Sequence, residues 1–389
     1  MELREPIPYF DQWLFIRDDY FRWLDGGYGG LDLFARHNEH RIMTTRLVLF
    51  ADIAAFDMKG VLPLVVTYAV LAASAAIIAA LCSEGRKATA CTFLFSLGLA
   101  WSTCQFANLG IAFQLQIPLV HVFALGALTA FAVSLQTSSW RWLALAAAVD
   151  FLAVFSLGSG PFLIAPLVLI ALWFRRLDRY FYALAAFHAA LTVAYFGASL
   201  PATSYGFAPL QSVELFLRVL GLPVGAHPVR AGAIGILWFT LVAGVLSYRA
   251  ATGAQVDRAA ATLAALAAFV IIEAAIIAYT RVPFGAAPRY ATAALFFCGG
   301  TLGATWRLVG SRLRVPVLAA AALLTVVANS PVNESYWRSW VARMEEAKRD
   351  IVNGDLSPES LVRIFPPPQT WLADAIRRTQ ALRLGPFAR

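Results

Sequence analysis

Residues 60–82 read GVLPLVVTYAVLAASAAIIAALC, and no side chain in that run carries a charge. Crossing the hydrocarbon core of a bilayer as a helix takes roughly 20 mainly apolar residues. The run has that length, so it reads as a membrane span. Nine more apolar segments follow, at about 88–104, 117–136, 140–157, 161–174, 180–198, 231–248, 259–280, 290–306 and 315–330. The segments at 140–157 and 161–174 are short and flank Gly158-Ser159-Gly160-Pro161, which suits a tightly turned pair or a partly re-entrant unit. The expected fold class is therefore an all-α polytopic membrane protein of about ten transmembrane helices. Three parts are expected: 1–59 as a polar loop and interfacial-helix region, 60–330 as the bundle, and 331–389 as a small helical segment.

Composition agrees. The 389 residues are 60% hydrophobic and 14% charged, with mean hydropathy +0.67. A soluble domain sits nearer half apolar and one quarter charged. This excludes a water-soluble globular enzyme, a disordered chain and a disulfide-rich secreted scaffold. The four cysteines, Cys82, Cys91, Cys104 and Cys298, lie in or at the ends of apolar runs without metal-ligand spacing and read as small buried hydrophobes.

The net charge of +8 points to basic cytoplasmic loops and not to nucleic acid. With residues 1–59 outside, the cytoplasmic turns carry Arg86, Lys87, Arg141, Arg175, Arg176, Arg179, Arg249, Arg258, Arg307, Arg312 and Arg314. The external connections carry Arg218, Arg230, Arg281 and Arg289. That bias places both terminal segments outside the cytoplasm. Met1-Glu2-Leu3-Arg4-Glu5 lacks the apolar core of a signal peptide. Two explanations follow: an upstream first helix that this sequence lacks, which is preferred, or a tail that crosses unaided.

Within the polar parts, 44–58 suits a helix at the membrane surface or an extension of the first span. Glu214 and Arg218 are spaced for a short interfacial helix in 199–230. Residues 334–353 read as helix ending at Gly354, Ser357-Pro358-Glu359 as a capped helix start, and Pro366-Pro367-Pro368 as a break before a last helix to about Leu384.

Four external clusters carry chemistry. Arg17-Asp18-Asp19-Tyr20 offers adjacent carboxylates that can bind a divalent metal, supply a general base or form a solvated charged face. Arg36-His37-Asn38-Glu39-His40-Arg41 would, on a helix, place His37, His40 and Arg41 on one face, as a phosphate, proton or metal site or as a structural network. Gln105 to Gln116 interleaves Asn108, Gln114 and Gln116 with aromatic rings, which suits sugar hydroxyls or plain loop packing. Arg281 and Arg289-Tyr290 break the positive-inside trend and can fork onto phosphate or snorkel to headgroups. Inside the spans, Asp150, Glu273, His121 and His188 face a cavity or one another.

The segments His37-Asn38-Glu39-His40-Arg41, Gln105 to Gln116, Ser156-Leu157-Gly158-Ser159-Gly160 and Arg289-Tyr290 together resemble integral membrane glycosyltransferases of the GT-C superfamily, specifically an uncharacterised bacterial branch. The resemblance covers roughly residues 15–300. It implies an inverting enzyme of the bacterial inner membrane that moves a sugar from a polyprenyl-phosphate donor to a glycan or lipid acceptor on the extracytoplasmic face. Carried over by position, Asp18 or Asp19 is the base, with Glu39 a second candidate. His37, His40, Arg41, Arg281, Arg289 and Tyr290 then hold the donor phosphate, and Asn108, Gln114 and Gln116 the acceptor sugar. No cofactor is fixed by the resemblance; a divalent metal is compatible with it. Two rival classes stay open: a transporter or flippase relaying through Asp150, Glu273 and His188, and a non-catalytic assembly subunit that docks through 331–389.

Overall fold

The computed structural model describes residues 7–83, 86–197, 208–367 and 369–388. The Met1–Glu5 start, part of the 199–230 loop, Pro368 and the side chains of Arg86, Lys87 and Cys91 lie outside the described residues. The described chain is almost wholly helical. Its strands are the two-residue pair Arg36–His37 and His40–Arg41.

Five helical stretches are long and apolar enough to cross a membrane: Val61–Cys82, Ala112–Thr137, Pro228–Ala251, Arg258–Thr280 and the apolar part of Arg312–Val352. The other expected spans occupy helices that fall short in length or apolarity. Arg86–Ala100 and Trp140–Val154 have 15 residues each, a rise of about 22 Å. Arg179–Phe196 includes Arg179 and His188, and Ala291–Leu308 ends in Arg307.

Contacts between turns sort the helix ends into two groups. At one end Arg307 holds Asp257 at 2.7 Å, and Trp306 Nε1 donates to the Cys82 carbonyl at 3.1 Å. Arg176 donates to Ser138 Oγ at 3.0 Å, and Arg179 lies over the Trp140 ring. At the opposite end Ser102 Oγ donates to the Ala328 carbonyl at 2.7 Å, and Arg41 Nε to the Tyr195 carbonyl at 2.7 Å. Thr44 and Ser156 share a hydrogen bond of 2.8 Å. The first end is the basic one.

The Gln116–Thr137 and Arg258–Thr280 helices form the centre of the bundle, whereas Pro228–Ala251 is mostly exposed on its flank. Alanines line the central helix from Ala259 to Ala268 and admit close neighbours. A Cβ at Gly300 would sit 2.6 Å from the Leu263 carbonyl oxygen, so that crossing depends on glycine. Gly160 is tighter still. Its Cβ would lie 2.2 Å from the Ala153 carbonyl, at the reversal between Trp140–Val154 and Ile164–Trp173. Gly160→Ala is expected to open that reversal and to cost about 1–3 kcal/mol. A lowered thermal midpoint in detergent would register it, and an unchanged midpoint would contradict the packing.

The two terminal segments, which the sequence presents as separate parts, share one apolar core. Trp13, Phe15 and Ile16 are buried in the same cluster as Trp337, Trp340, Ile351, Leu361 and Ile376. Phe10 stacks on Phe365 with ring centres 4.9 Å apart, and its amide donates to the Ile364 carbonyl at 2.8 Å. Asp25 and Arg378 close the far edge with a two-pronged ion pair. The result is a cap over the non-basic end of the bundle. Local signals act as expected within it: Gly354 takes φ +92°, Ser357 caps Pro358–Ile364, and Met43–Phe56 is a helix.

Candidate functional site

Several of the polar residues that the sequence singles out meet at the seam between cap and bundle. Its first element is a hairpin over Arg36–Arg41, so the face that a helix would give His37, His40 and Arg41 in common does not form. Asn38 adopts φ +52°, a left-handed conformation that asparagine tolerates, and it reverses the chain between the two short strands. Arg36 pairs with Arg41, and His37 with His40. Opposed residues share a face, so the two histidines lie together and Arg41 points the other way. Arg41 instead pins the hairpin to the bundle: its amide donates to Tyr195 Oη at 3.0 Å and its guanidinium to the Tyr195 and Phe34 carbonyls.

His37 is buried against the Phe113 ring, 4.9 Å between centres. His40 presses on Gly158, where a Cβ would fall 2.5 Å from His40 Nδ1. Burial, reinforced by Arg46, pushes His37 down to about 3. Burial and Arg289 push His40 down to about 4. Both therefore stand neutral in the fold. A histidine whose folded value lies below its unfolded value of 6.5 stabilises the fold above that pH, and the contribution is lost as pH falls toward the folded value. Acidification from pH 7 to pH 4 is thus expected to cost several kcal/mol at His37 alone. His37→Gln should flatten the fall in unfolding midpoint between pH 7 and pH 4; an equally steep fall in the variant would contradict this.

The adjacent carboxylates separate. A π turn over Ile16–Tyr20 lies in the first helix of the cap. Asp18 is exposed and pairs with its neighbour Arg17. Asp19 is buried, 3.0 Å from Arg46 Nε. Arg46 also donates to the carbonyls of Leu33, Ala35 and Arg36, so this pair ties the loop to the helix. Among the described residues the ion-pair partners of Asp18 and Asp19 are Arg17 and Arg46, and not the hairpin tip or the arginines at 281 and 289.

Asp11 does stand among them. Its carboxylate accepts from Asn38 Nδ2 at 3.1 Å. Burial raises its pKa above the usual carboxylate range, opposed by that bond and by the charges of Arg289 and Arg281. Glu39, at the hairpin tip, forms an ion pair with Arg281. Arg281 lies over Phe284, and Arg289 over Tyr290 at 5.4 Å. The loop carrying Arg289 is fixed from the bundle: Asn108 Nδ2 donates to the Arg289 carbonyl at 2.7 Å and to Thr292 Oγ1 at 2.5 Å, and Thr292 donates to Gln105. Asn108 Oδ1, Gln114 Oε1 and Gln116 Oε1 are buried acceptors with no hydrogen-bond partner among the described residues.

Beneath the seam, Glu273 meets His121 Nε2 at 2.8 Å and accepts from Ser159 Oγ at 3.2 Å. The His121 ring stacks on Phe296 at 4.8 Å. Phe296 also lines a small, partly open crevice with Leu71, Ala75, Leu99 and Leu295. Asp150 and His188 form a separate buried pair at 2.9 Å, with His188 Nε2 on the Pro161 carbonyl at 2.8 Å. Among the described residues no three His, Cys, Asp or Glu side chains converge as a metal-ligand group.

Asp11 and Arg46 are polar residues that sequence reasoning missed, and the bond of Ser159 to Glu273 was not foreseen. Each acts through a partner 27 or more residues distant, which no local spacing encodes. No protein-family model, curated protein or solved structure matches the chain.

Proposed function

We propose that the chain is a membrane glycosyltransferase that moves a sugar from a polyprenyl-phosphate donor to a glycan or lipid acceptor, with inversion. The observation that carries the reading is the meeting of Asp11, Glu39, His40, Arg281 and Arg289 where the cap closes on the bundle. A half-buried carboxylate beside two arginines suits the reaction. Asp11 takes the proton of the acceptor hydroxyl, and that oxygen attacks the anomeric carbon opposite the lipid phosphate. Arg281 and Arg289 neutralise the departing phosphate. The unpartnered Gln114 and Gln116 acceptors suit sugar hydroxyl donors.

The sorting of helix ends supports ten traverses, several of them short, in a bilayer thinned around them. Ten is an even number, as it must be when both terminal segments share one cap. Exposed Trp140, Tyr182 and Tyr248 at the basic end, with Trp101 and Tyr279 at the cap end, suit two interfacial aromatic belts. The basic end then faces the cytoplasm of a bacterium and the cap lies outside its inner membrane.

The test is transfer of labelled sugar from polyprenyl-phosphate hexose and pentose donors by the protein in liposomes. Transfer that Arg289→Ala abolishes and Asp150→Asn leaves intact supports the enzyme. No transfer from any such donor, with lipid or solute movement that depends on Asp150 and Glu273, would establish a transporter instead.

A further inference from the structure

We propose that Glu39 is a displaceable internal counter-ion, whose carboxylate occupies on Arg281 the place that a phosphoester takes when it binds between Arg281 and Arg289. The inference deepens the functional reading and rests on it only for the identity of the lipid. Arg281 and Glu39 keep 25% and 33% of their side-chain surface exposed, so an incoming anion reaches the pair from solvent. Arg289 is half-buried and makes no ion pair among the described residues; its guanidinium lies over the Tyr290 ring. One arginine thus keeps its charge without an ion pair among the described residues, and its neighbour is held by a carboxylate.

The hairpin allows the exchange without moving itself. Its base is fixed by the bonds from Arg41 to Tyr195, and its turn by the bond from Asn38 to Asp11. Only the Glu39 side chain has to turn. A second partner is already at hand: His40 Nε2 is 3.7 Å from the same carboxylate oxygen. His40 is neutral, so it meets the displaced carboxylate as an N–H donor and gains no charge.

The exchange also ranks anions. A guanidinium prefers a bidentate phosphate to a single carboxylate contact. A phosphate monoester carries more charge than Glu39 and displaces it; a simple carboxylate does not. In the proposed reaction the donor is a phosphodiester and the spent lipid a monoester. Return of Glu39 to Arg281 then competes against the spent lipid and speeds its departure.

The experiment measures binding without turnover, on the full chain in nanodiscs of neutral lipid. The probes are inorganic phosphate in solution and a polyprenyl monophosphate in the disc, with the uncharged polyprenol as control. Glu39→Gln is expected to tighten binding about fivefold, the value of one partly exposed ion pair. Arg281→Gln should weaken it below the wild type, and polyprenol binding should not change. Tightening for the polyprenyl monophosphate assigns the lipid headgroup, and tightening for inorganic phosphate alone assigns a free phosphate. Glu39→Asp, one methylene shorter, should fall between wild type and Glu39→Gln and serves if the latter does not fold. Equal or weaker binding in both Glu39 variants overturns the proposal. Absence of sugar transfer in the liposome assay, with tightening intact, overturns the functional reading and leaves this one standing.

Discussion

If Asp11 is the general base of the proposed transfer, Asp11→Asn is expected to lower sugar transfer by about 10²–10⁴-fold, the usual contribution of such a group, with little change in folding. Asparagine keeps the shape and still accepts from Asn38 Nδ2, which is 3.1 Å away in the native chain. It cannot take a proton. The half-buried position predicts a second signature. Desolvation holds Asp11 above the ordinary carboxylate range, although Asn38, Arg289 and Arg281 oppose it. The base must be ionised, so kcat/KM should rise with pH through that elevated value and not near the usual carboxylate value of about 4. Asp18→Asn should be nearly silent, because Asp18 is exposed and bound to Arg17. A silent Asp11→Asn together with a dead Asp18→Asn would move the reacting centre away from the seam.

Arg46→Met should be the most destabilising single change in the cap, by about 3–5 kcal/mol, the cost of stripping one partner from a buried ion pair. Asp19, 3% exposed, would be left without its cation 3.0 Å away. The Leu33, Ala35 and Arg36 carbonyls would lose their donors at the same time. The double variant Asp19→Leu, Arg46→Met should recover part of the loss, because the orphaned charge goes with its partner. Denaturant or thermal unfolding reads both. A single variant within 1 kcal/mol of the wild type would show that Arg46 does not organise the loop.

The apolar runs were legible because helices this long and this apolar have few alternatives in sequence. Val61–Cys82 and Arg258–Thr280 fall within two residues of their expected bounds. The same patterns gave Ser357 as a cap and the reversal at Gly158–Gly160. Length was the weak point. A window of apolar residues does not reveal that the Trp140 helix stops at Val154, where the chain turns to let Gly160 meet Ala153. His37 and His40 look helical by spacing, and a single left-handed residue, Asn38, overrides that spacing. Arg281 and Arg289 stood out as cations on the wrong side. Asp11 did not, because its role depends on Asn38 and on a loop more than 260 residues farther along the chain.

The cap joins residues whose synthesis is widely separated in time. Asp25 and Arg378 are 353 positions apart. At about 5–20 residues per second, the ribosome needs roughly 20–70 s between them. Over that interval Trp13, Phe15 and Ile16 have no partners from 337–376 to cover them. The nascent protein therefore spends its whole insertion with an adhesive half-domain waiting on one side of the membrane. A holdase there, or early shelter against the bilayer surface, would keep that apolar surface from aggregating until the C-terminal helices arrive.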